Sequence, residues 1–441
     1  MNSFLWIPKH GVMTTTQKFN TFLTNIKVDN DETLSNRYGE ITKKLNQRFR
    51  GSDSEVNNRL QVGSYGRYTG IKGISDLDML YIMPDSLWDK YKNDPKKLLQ
   101  ETKDALIERY PRTKIKIDRL VVVVDFCNFK FEVQPVFQGE EKDDIITYQF
   151  PDTKYGYFRV TMPKHEQEAM TSFRENYGDT HRRLCKMMRA WTNHMGVHMG
   201  GLLLDTLAYN FLKNDEDLAI TPISKFDTLC QDFFEFLKNE PVKDHYQALG
   251  SGQDVKVKKK FQTKAKKAFK LSCKAINSDN EEEEHSYWRD IFGNNFPKAE
   301  TVIKNFSSFP EDKEEFIEEK YPISIQGNLN IDCEIKSNGF RERLLSSLLR
   351  DSQKIARVKS LEFFIDSLTI PEPYEVLWKV RNVGDEAIRR NCLRGQIIPS
   401  NTPSKKGRKE TSNFRGPHYV ECYILKEGYI VARDRIEVPI L

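Results

Sequence analysis

Residues 76–83, DLDMLYIM, constrain this chain more than any other stretch: two aspartates lead into five consecutive apolar side chains, and Pro84 closes the run. A continuous apolar run of that length, bounded by turn chemistry, reads as a buried strand. Side chains alternate across a strand, so Asp76 and Asp78 share one face at its entrance. A short distance upstream, LQVGS ends in a small-residue turn, Gly63-Ser64.

The surrounding pattern is α+β. Residues 14–27 and 31–50 read as amphipathic helices, the second with Leu34, Tyr38, Ile41, Leu45 and Phe49 at helical spacing, and residues 95–109 read as another helix. LVVVVDF and FKFEVQPVF then read as two strands of a mixed sheet joined by a tight Cys127-Asn128 turn. In the second, Phe129, Phe131 and Val133 share one face, and Lys130, Glu132 and Gln134 the other. Glu132 is therefore the candidate for a third carboxylate beside the aspartates. Asp125, at the end of the valine run and in phase with Val121 and Val123, is its rival.

Three carboxylates on neighbouring strands match what nucleotidyl transfer requires. That chemistry uses two divalent ions, one to activate the attacking hydroxyl and one to hold the donor triphosphate. Hard Mg²⁺, with Mn²⁺ as a substitute, prefers oxygen ligands. Gly63-Ser64 would offer backbone amides and a hydroxyl to the donor phosphates, the glycine allowing close approach. A D-x-D behind a Gly-Ser turn carries little weight alone, because strand-end aspartates are often plain surface charges. The third carboxylate gives the set its weight.

Composition bounds the rest. With 441 residues and 38% hydrophobic content the chain can bury a large core and should form two or three domains, and a net charge of +5 names no partner. Seven scattered cysteines without a C-x-x-C spacing argue against structural zinc and disulfides, which fits a reducing cytoplasm. The first residues hold too short an apolar stretch for a secretory signal, and no run is long enough to cross a bilayer, so no membrane is expected. From about 164 to 300 the pattern is helical; within it residues 256–270 carry eight lysines and no acid, either a solvated face or a phosphate-binding one. Beyond about 311 the alternation of half-buried strands returns, with residues 401–413 expected as a mobile basic loop. The expected division is 1–163, a catalytic core with N-terminal helices; 164–310, a helical lobe; and 311–441, a β-rich domain.

Taken together, G-S, D-L-D, F-E-V-Q-P, the K-x-x-R-A-W helix at 186–191, L-L-L-D-T-L at 202–207 and W-R-D-I-F-G at 288–293 resemble the cGAS/DncV-like nucleotidyltransferases of bacterial antiphage (CBASS) operons, in the polymerase-β-like superfamily. The resemblance implies that Asp76, Asp78 and Glu132 are metal ligands, that Gly63 and Ser64 meet the donor phosphates, and that Lys186 and Arg189 bind phosphate from the helical lobe. Three positions depart from the family pattern: Glu132 where Asp is commoner, Arg189 where Lys is frequent, and Gly201 where many relatives carry Ser. Trp191 and Trp288 read as core aromatics, and His181, His194 and His198 as structural or surface residues.

Stretches at 331–341, 373–387, 391–397 and 418–436 are similar to the AGS-C sensor domain that is appended to such enzymes. Trp378, Asn382, Arg394 and His418 could serve a nucleotide or nucleic-acid pocket there. Equally, they could be the core residue, turn and strand pairings of a β-sandwich. The implied activity is the Mg²⁺-dependent condensation of nucleoside triphosphates, ATP and/or GTP, into a cyclic di- or trinucleotide that acts on a downstream effector. Nucleotidylation of a protein or RNA, or a catalytically silent sensor, are the alternatives.

Overall fold

The computed structural model describes residues 13–28, 31–73, 76–126, 129–299, 314–336 and 343–441. The chain divides into two compact units that interleave in sequence: Phe22–Ala190 with Met199–Phe269, and Met1–Thr21 with Trp191–His198 and Lys270–Leu441. Among the described residues no helix is long and apolar enough to cross a membrane.

The first unit is built on a seven-stranded mixed sheet. Helices α1 (Thr15–Asn25) and α2 (Asp31–Arg50) precede β1 (Arg59–Gln61), a single turn α3 (Gly63–Gly66) and β2 (Asp76–Ile82). After the short α4 (Trp88–Tyr91) and α5 (Pro95–Arg109) come β3 (Lys114–Asp118), β4 (Val121–Asp125), β5 (Lys130–Lys142), β6 (Ile145–Asp152) and β7 (Tyr157–Thr161). The order is β1-β2-β5-β4-β3, with β6 and then β7 continuing from β5. Strands β2 and β5 run parallel, and β4 and β5 are antiparallel as the hairpin expectation required. Cys127 and Asn128, the expected turn between them, lie outside the described residues.

One face of this sheet is apolar, as the alternation in the sequence demanded. Leu77, Met79, Tyr81, Val122, Val124, Phe131 and Val133 pack with Leu34, Tyr38, Ile41 and Leu45 of α2 and with Leu98, Leu99, Ala105 and Leu106 of α5. The α5 start is fixed by Pro95 at its first turn and by the Asp94 side chain, which accepts from the Lys97 amide. Covering one face leaves the polar face to carry Asp76, Asp78, Lys130, Glu132 and Asp125.

Helices α6 (Pro163–Tyr177), α7 (Thr180–Met195), α8 (Gly201–Leu212), α9 (Glu216–Ala219), α10 (Phe226–Asn239), α11 (Gln262–Ile276) and α12 (Glu281–Phe292) follow, with a small ribbon of β8 (His245–Gln247) and β9 (Asp254–Lys256) between α10 and α11. The lysine-rich stretch is thus only partly helical: Lys256 ends β9, and Lys258, Lys259 and Lys260 precede α11, whose Ala265 and Ala268 are buried. The acidic run Glu281–Glu284 is the first turn of α12 behind an Asn280 cap, where the helix dipole favours negative charge.

In the second unit the C-terminal residues form two four-stranded sheets sharing one core. One has the order β11 (Arg343–Leu344), β10 (Leu329–Lys336), β12 (Ser360–Leu368), β15 (Arg408–Thr411); the other β14 (Arg394–Pro399), β13 (Glu375–Arg381), β16 (Gly416–Lys426), β17 (Tyr429–Ile440). Cys333, Leu361 and Phe363 from the first sheet meet Trp378, Cys422 and Val431 from the second. The loop expected at 401–413 is corrected in part, because Arg408–Thr411 pairs with β12 and places Glu410 opposite Leu361.

Candidate active site

The parallel register of β2 and β5 brings the carboxylates together in pairs: Asp78 stands opposite Glu132, and Asp76 opposite Lys130. Asp125 lies on the same face but opposite Lys130 on β5 and Lys114 on β3, two positions along from Glu132. The direct neighbour of Asp78 is therefore Glu132 and not its rival. Among the described residues no three His, Cys, Asp or Glu side chains are gathered tightly enough to hold a metal ion as they stand.

Electrostatics tie the three acids to one another. Burial, then the charge of Asp76, push the Asp78 carboxyl up to about 6 against the pull of Arg67. Burial, then Asp78, Asp76 and Asp118, push Glu132 up to about 8, with Lys130 opposing. Half-buried carboxylates that repel one another are what a hard divalent cation neutralises, and the donor set is all oxygen. The residues fit such an ion.

The Gly63-Ser64 turn abuts this set. Gly63 has φ +65°, and a Cβ built on it would fall on the carboxylate of Asp78. Only a glycine permits both the left-handed backbone and the contact. Ser64 closes the turn with its carbonyl, which accepts from Thr69 N at 2.8 Å and Gly70 N at 3.1 Å, while Arg67 N donates to Gly63 O at 3.1 Å. The Val62 amide donates to the Asp78 carbonyl at 3.1 Å, stitching the turn to β2.

Beneath the turn lies a buried ionic network that sequence reasoning missed. Asp205 of α8 accepts from Arg67 Nε at 2.9 Å, from Thr69 Oγ1 at 3.1 Å, and from Arg189 Nη1 and Nη2 at 2.6 and 2.9 Å. Arg67 also pairs with Glu166 of α6 at 3.2 Å. Burial works to raise the Asp205 carboxyl, but the two guanidinium groups outweigh it and hold it well below the usual range. Glu166, with one weaker ion pair and a hydrogen bond to Ser251, is left raised to about 7 by its burial. A single acid inside the apolar run LLLDTLA was the available signal, since a carboxylate on a buried helix demands a partner.

Arg189 belongs to this network. Expected on phosphate, it spends its fork on Asp205 and is 8% exposed. Its Nη2 also donates to the Gly201 carbonyl at 3.2 Å, and a Cβ at Gly201 would stand 3.0 Å from that nitrogen. Two of the three departures from the family pattern are thus one contact: the larger guanidinium occupies the space a serine side chain would need. Lys186, in contrast, has basic neighbours. Its pKa is lowered by burial, then by Arg182, Lys27 and Arg183, with Asp179 opposing.

The remaining expectations fall on structural residues. His181 is buried, bonds the Asp205 carbonyl at 3.0 Å, and is lowered to about 4 by desolvation. Trp191 and Trp288 are fully buried, as read from the sequence. In the C-terminal sheets Trp378 is core, Asn382 Nδ2 donates to Cys392 O at 2.6 Å, and Arg394 forms a two-point pair with Glu410 at 2.7 and 3.0 Å. His418 accepts from Val383 N and faces Phe414 O, bracing a loop at each ring nitrogen.

Comparison with known proteins agrees with this architecture. Residues 13–173 match the Second Messenger Oligonucleotide or Dinucleotide Synthetase (SMODS) domain, and residues 311–441 the Adenylyl/Guanylyl and SMODS C-terminal sensor (AGS_C) domain. No curated protein matches the chain at a significant level. Among solved structures, the apo form of Vibrio cholerae DncV is 12% identical with a TM-score of 0.52, the match covering 65% of this chain and 97% of that one. E. coli MS115-1 CdnC with ATP is 14% identical with a TM-score of 0.48, covering 65% and 99%. At such identities the DncV likeness speaks for the fold alone.

Proposed function

We propose, from the premise that this chain is a cGAS/DncV-like nucleotidyltransferase with a C-terminal AGS-C sensor domain, that it condenses nucleoside triphosphates into a cyclic oligonucleotide second messenger and releases pyrophosphate. The observation that carries the reading is the seating of Gly63 directly against Asp78, which itself stands opposite Glu132. Phosphate seat and carboxylate face form one continuous surface.

In this reading residues 1–163 form the catalytic core, 164–310 its helical lobe and 311–441 the sensor domain. Asp76, Asp78 and Glu132 hold the divalent ion, Mg²⁺ or Mn²⁺. When bound, that ion supplies Lewis acidity to the acceptor hydroxyl and neutralises the leaving pyrophosphate. The chain's own groups do the rest. The Gly63 backbone and the Ser64 hydroxyl orient the donor phosphates. Lys186, crowded by Arg182, Arg183 and Lys27, gains when a phosphate neutralises the cluster. Arg189 is assigned a supporting place on Asp205 and no phosphate. ATP and GTP are the expected substrates, the cytoplasm is the expected compartment, and the product would act on a separate effector in antiphage defence.

The test is incubation with all four nucleoside triphosphates and Mg²⁺ or Mn²⁺, followed by phosphatase treatment and mass spectrometry. A phosphatase-resistant cyclic product is expected, and Asp76→Asn with Asp78→Asn should abolish it while leaving a folded protein, as loss of mutually repelling charges costs little stability. Label transferred to protein or RNA in place of a small product would refute the cyclase reading. Undiminished activity of the double variant would refute the metal assignment.

A further inference from the structure

Two hairpin tips of the catalytic sheet are welded into one exposed aromatic and cationic patch. Asp152, wholly buried at the end of β6, accepts from Arg119 Nε and Nη2 at 3.0 and 2.6 Å, and from Arg159 Nη1 at 3.3 Å. Arg119 sits in the β3–β4 turn with φ +38°, and its carbonyl accepts from the Thr153 hydroxyl at 2.8 Å and the Thr153 amide at 3.3 Å. The β3–β4 tip and the β6–β7 tip are thereby held as one piece.

On that base Tyr155 and Tyr157 stack on each other, ring centroids 5.8 Å apart and 25° from parallel, while each is more than half exposed. Arg119 and Lys154 both lie 5.4 Å from the Tyr155 ring centre. Arg159, two positions from Tyr157 on the same edge strand, shares its face. Large apolar side chains scattered singly on a surface are ordinary, whereas two exposed tyrosines stacked on each other are not. Three cations, Arg119, Lys154 and Arg159, stand against two acids, Asp152 and Asp118, which leaves one net positive charge at the patch. Asp118, beside Arg119 in sequence, acts on Glu132 on the catalytic face.

We propose that this patch binds single-stranded nucleic acid, with bases stacking on the Tyr155–Tyr157 pair and phosphates meeting Arg119, Lys154 and Arg159. Stacked rings supply the sequence-tolerant platform that such ligands use, and the cations track the backbone. Prepaid order in the platform, fixed by Asp152, lowers the entropic cost of binding.

The experiment uses the full chain with saturating non-hydrolysable ATP in the catalytic site and fluorescein-labelled oligo-dT and oligo-rU of about 20 nucleotides, read by anisotropy across salt. Tyr155→Ser with Tyr157→Ser should weaken binding by about tenfold or more. Lys154→Gln, on an exposed side chain that cannot endanger the fold, should lower the slope of log affinity against log salt by about 0.7. The two oligonucleotides separate RNA from DNA as the source. Absence of binding by either at about 50 mM salt, as expected if the patch instead holds a protein, overturns the proposal. So do unchanged affinity in the tyrosine variant and an unchanged slope in Lys154→Gln.

Discussion

Replacing Gly63 by alanine separates a phosphate seat pressed on a metal ligand from an ordinary turn glycine, provided Gly73→Ala is measured beside it. Both residues have positive φ, +65° and +76°, so both variants carry the left-handed backbone cost of about 1–2 kcal/mol. Around Gly73 a Cβ meets nothing among the described residues within 4 Å, whereas at Gly63 it lands on the Asp78 carboxylate. For a unit of this size the shared cost should lower the melting temperature by roughly 2–8 °C in each variant. In Gly63→Ala the overlap must also be relieved, either by rotating Asp78 away or by moving the turn by about 1 Å, a displacement that costs on the order of a hundredfold in rate. The assay is chromatographic quantitation of product from labelled nucleoside triphosphates, with thermal melting on the same samples. Gly73→Ala should retain its rate, and Gly63→Ala should lose two orders of magnitude or more. If the two variants melt alike and also turn over alike, the seat is not against Asp78 and the reasoning fails.

Other perturbations read the same site from different sides. Lys186→Gln relieves repulsion, so melting should hold or rise while KM for the triphosphate increases tenfold or more, a charged hydrogen bond being worth about 1.5–3 kcal/mol; unchanged KM would remove Lys186 from the phosphates. Glu132 and Asp78 are raised to about 8 and about 6, so the fold favours their protonated forms. Their contribution is full below the unfolded carboxylate pKa and is lost as pH climbs through those values. Added Mg²⁺ should therefore raise the melting temperature more at pH 8.5 than at pH 5.5, and an equal shift at both would contradict the assignment. Gly201→Ser crowds the Arg189 nitrogen and should destabilise by about 1–3 kcal/mol. Adding Arg189→Lys should cost less than the sum of the single changes by at least about 0.5 kcal/mol, and strictly additive melting would show that the two positions are not coupled.

Much of the catalytic sheet was legible because its signals are local. Alternation of Phe129, Phe131 and Val133 with Lys130, Glu132 and Gln134 assigns the faces of β5 before any partner is known. Helical spacing does the same for α2. Where neighbours in space are distant in sequence, the local pattern fails. Arg408–Thr411 reads as a basic loop because it is short and polar, yet it gains strand geometry from β12 some 50 positions earlier. The interleaving of the two compact units is equally invisible to a window of residues, since α7 gives no change of periodicity at Trp191 where the second unit takes over.

The site divides along the same line. Asp76, Asp78, Gly63 and Ser64 stand close in sequence and carry their own turn and strand chemistry, so their grouping could be read directly. Arg189 could not, because its surroundings are set by Asp205, sixteen residues on, and by Arg67 from another part of the sheet's periphery. A basic residue on an amphipathic helix looks alike whether it faces a phosphate or a buried carboxylate. Burial decides between them: a fully buried Asp205 with only Arg67 to balance it would leave half its oxygen valence unpaired, a cost of several kcal/mol, and Arg189 supplies the second fork. The same carboxylate then holds Thr69, whose amide returns to the Ser64 carbonyl. Arg189 is thus part of the ground on which the Gly63-Ser64 turn stands, and the glycine at 201 is the space it requires.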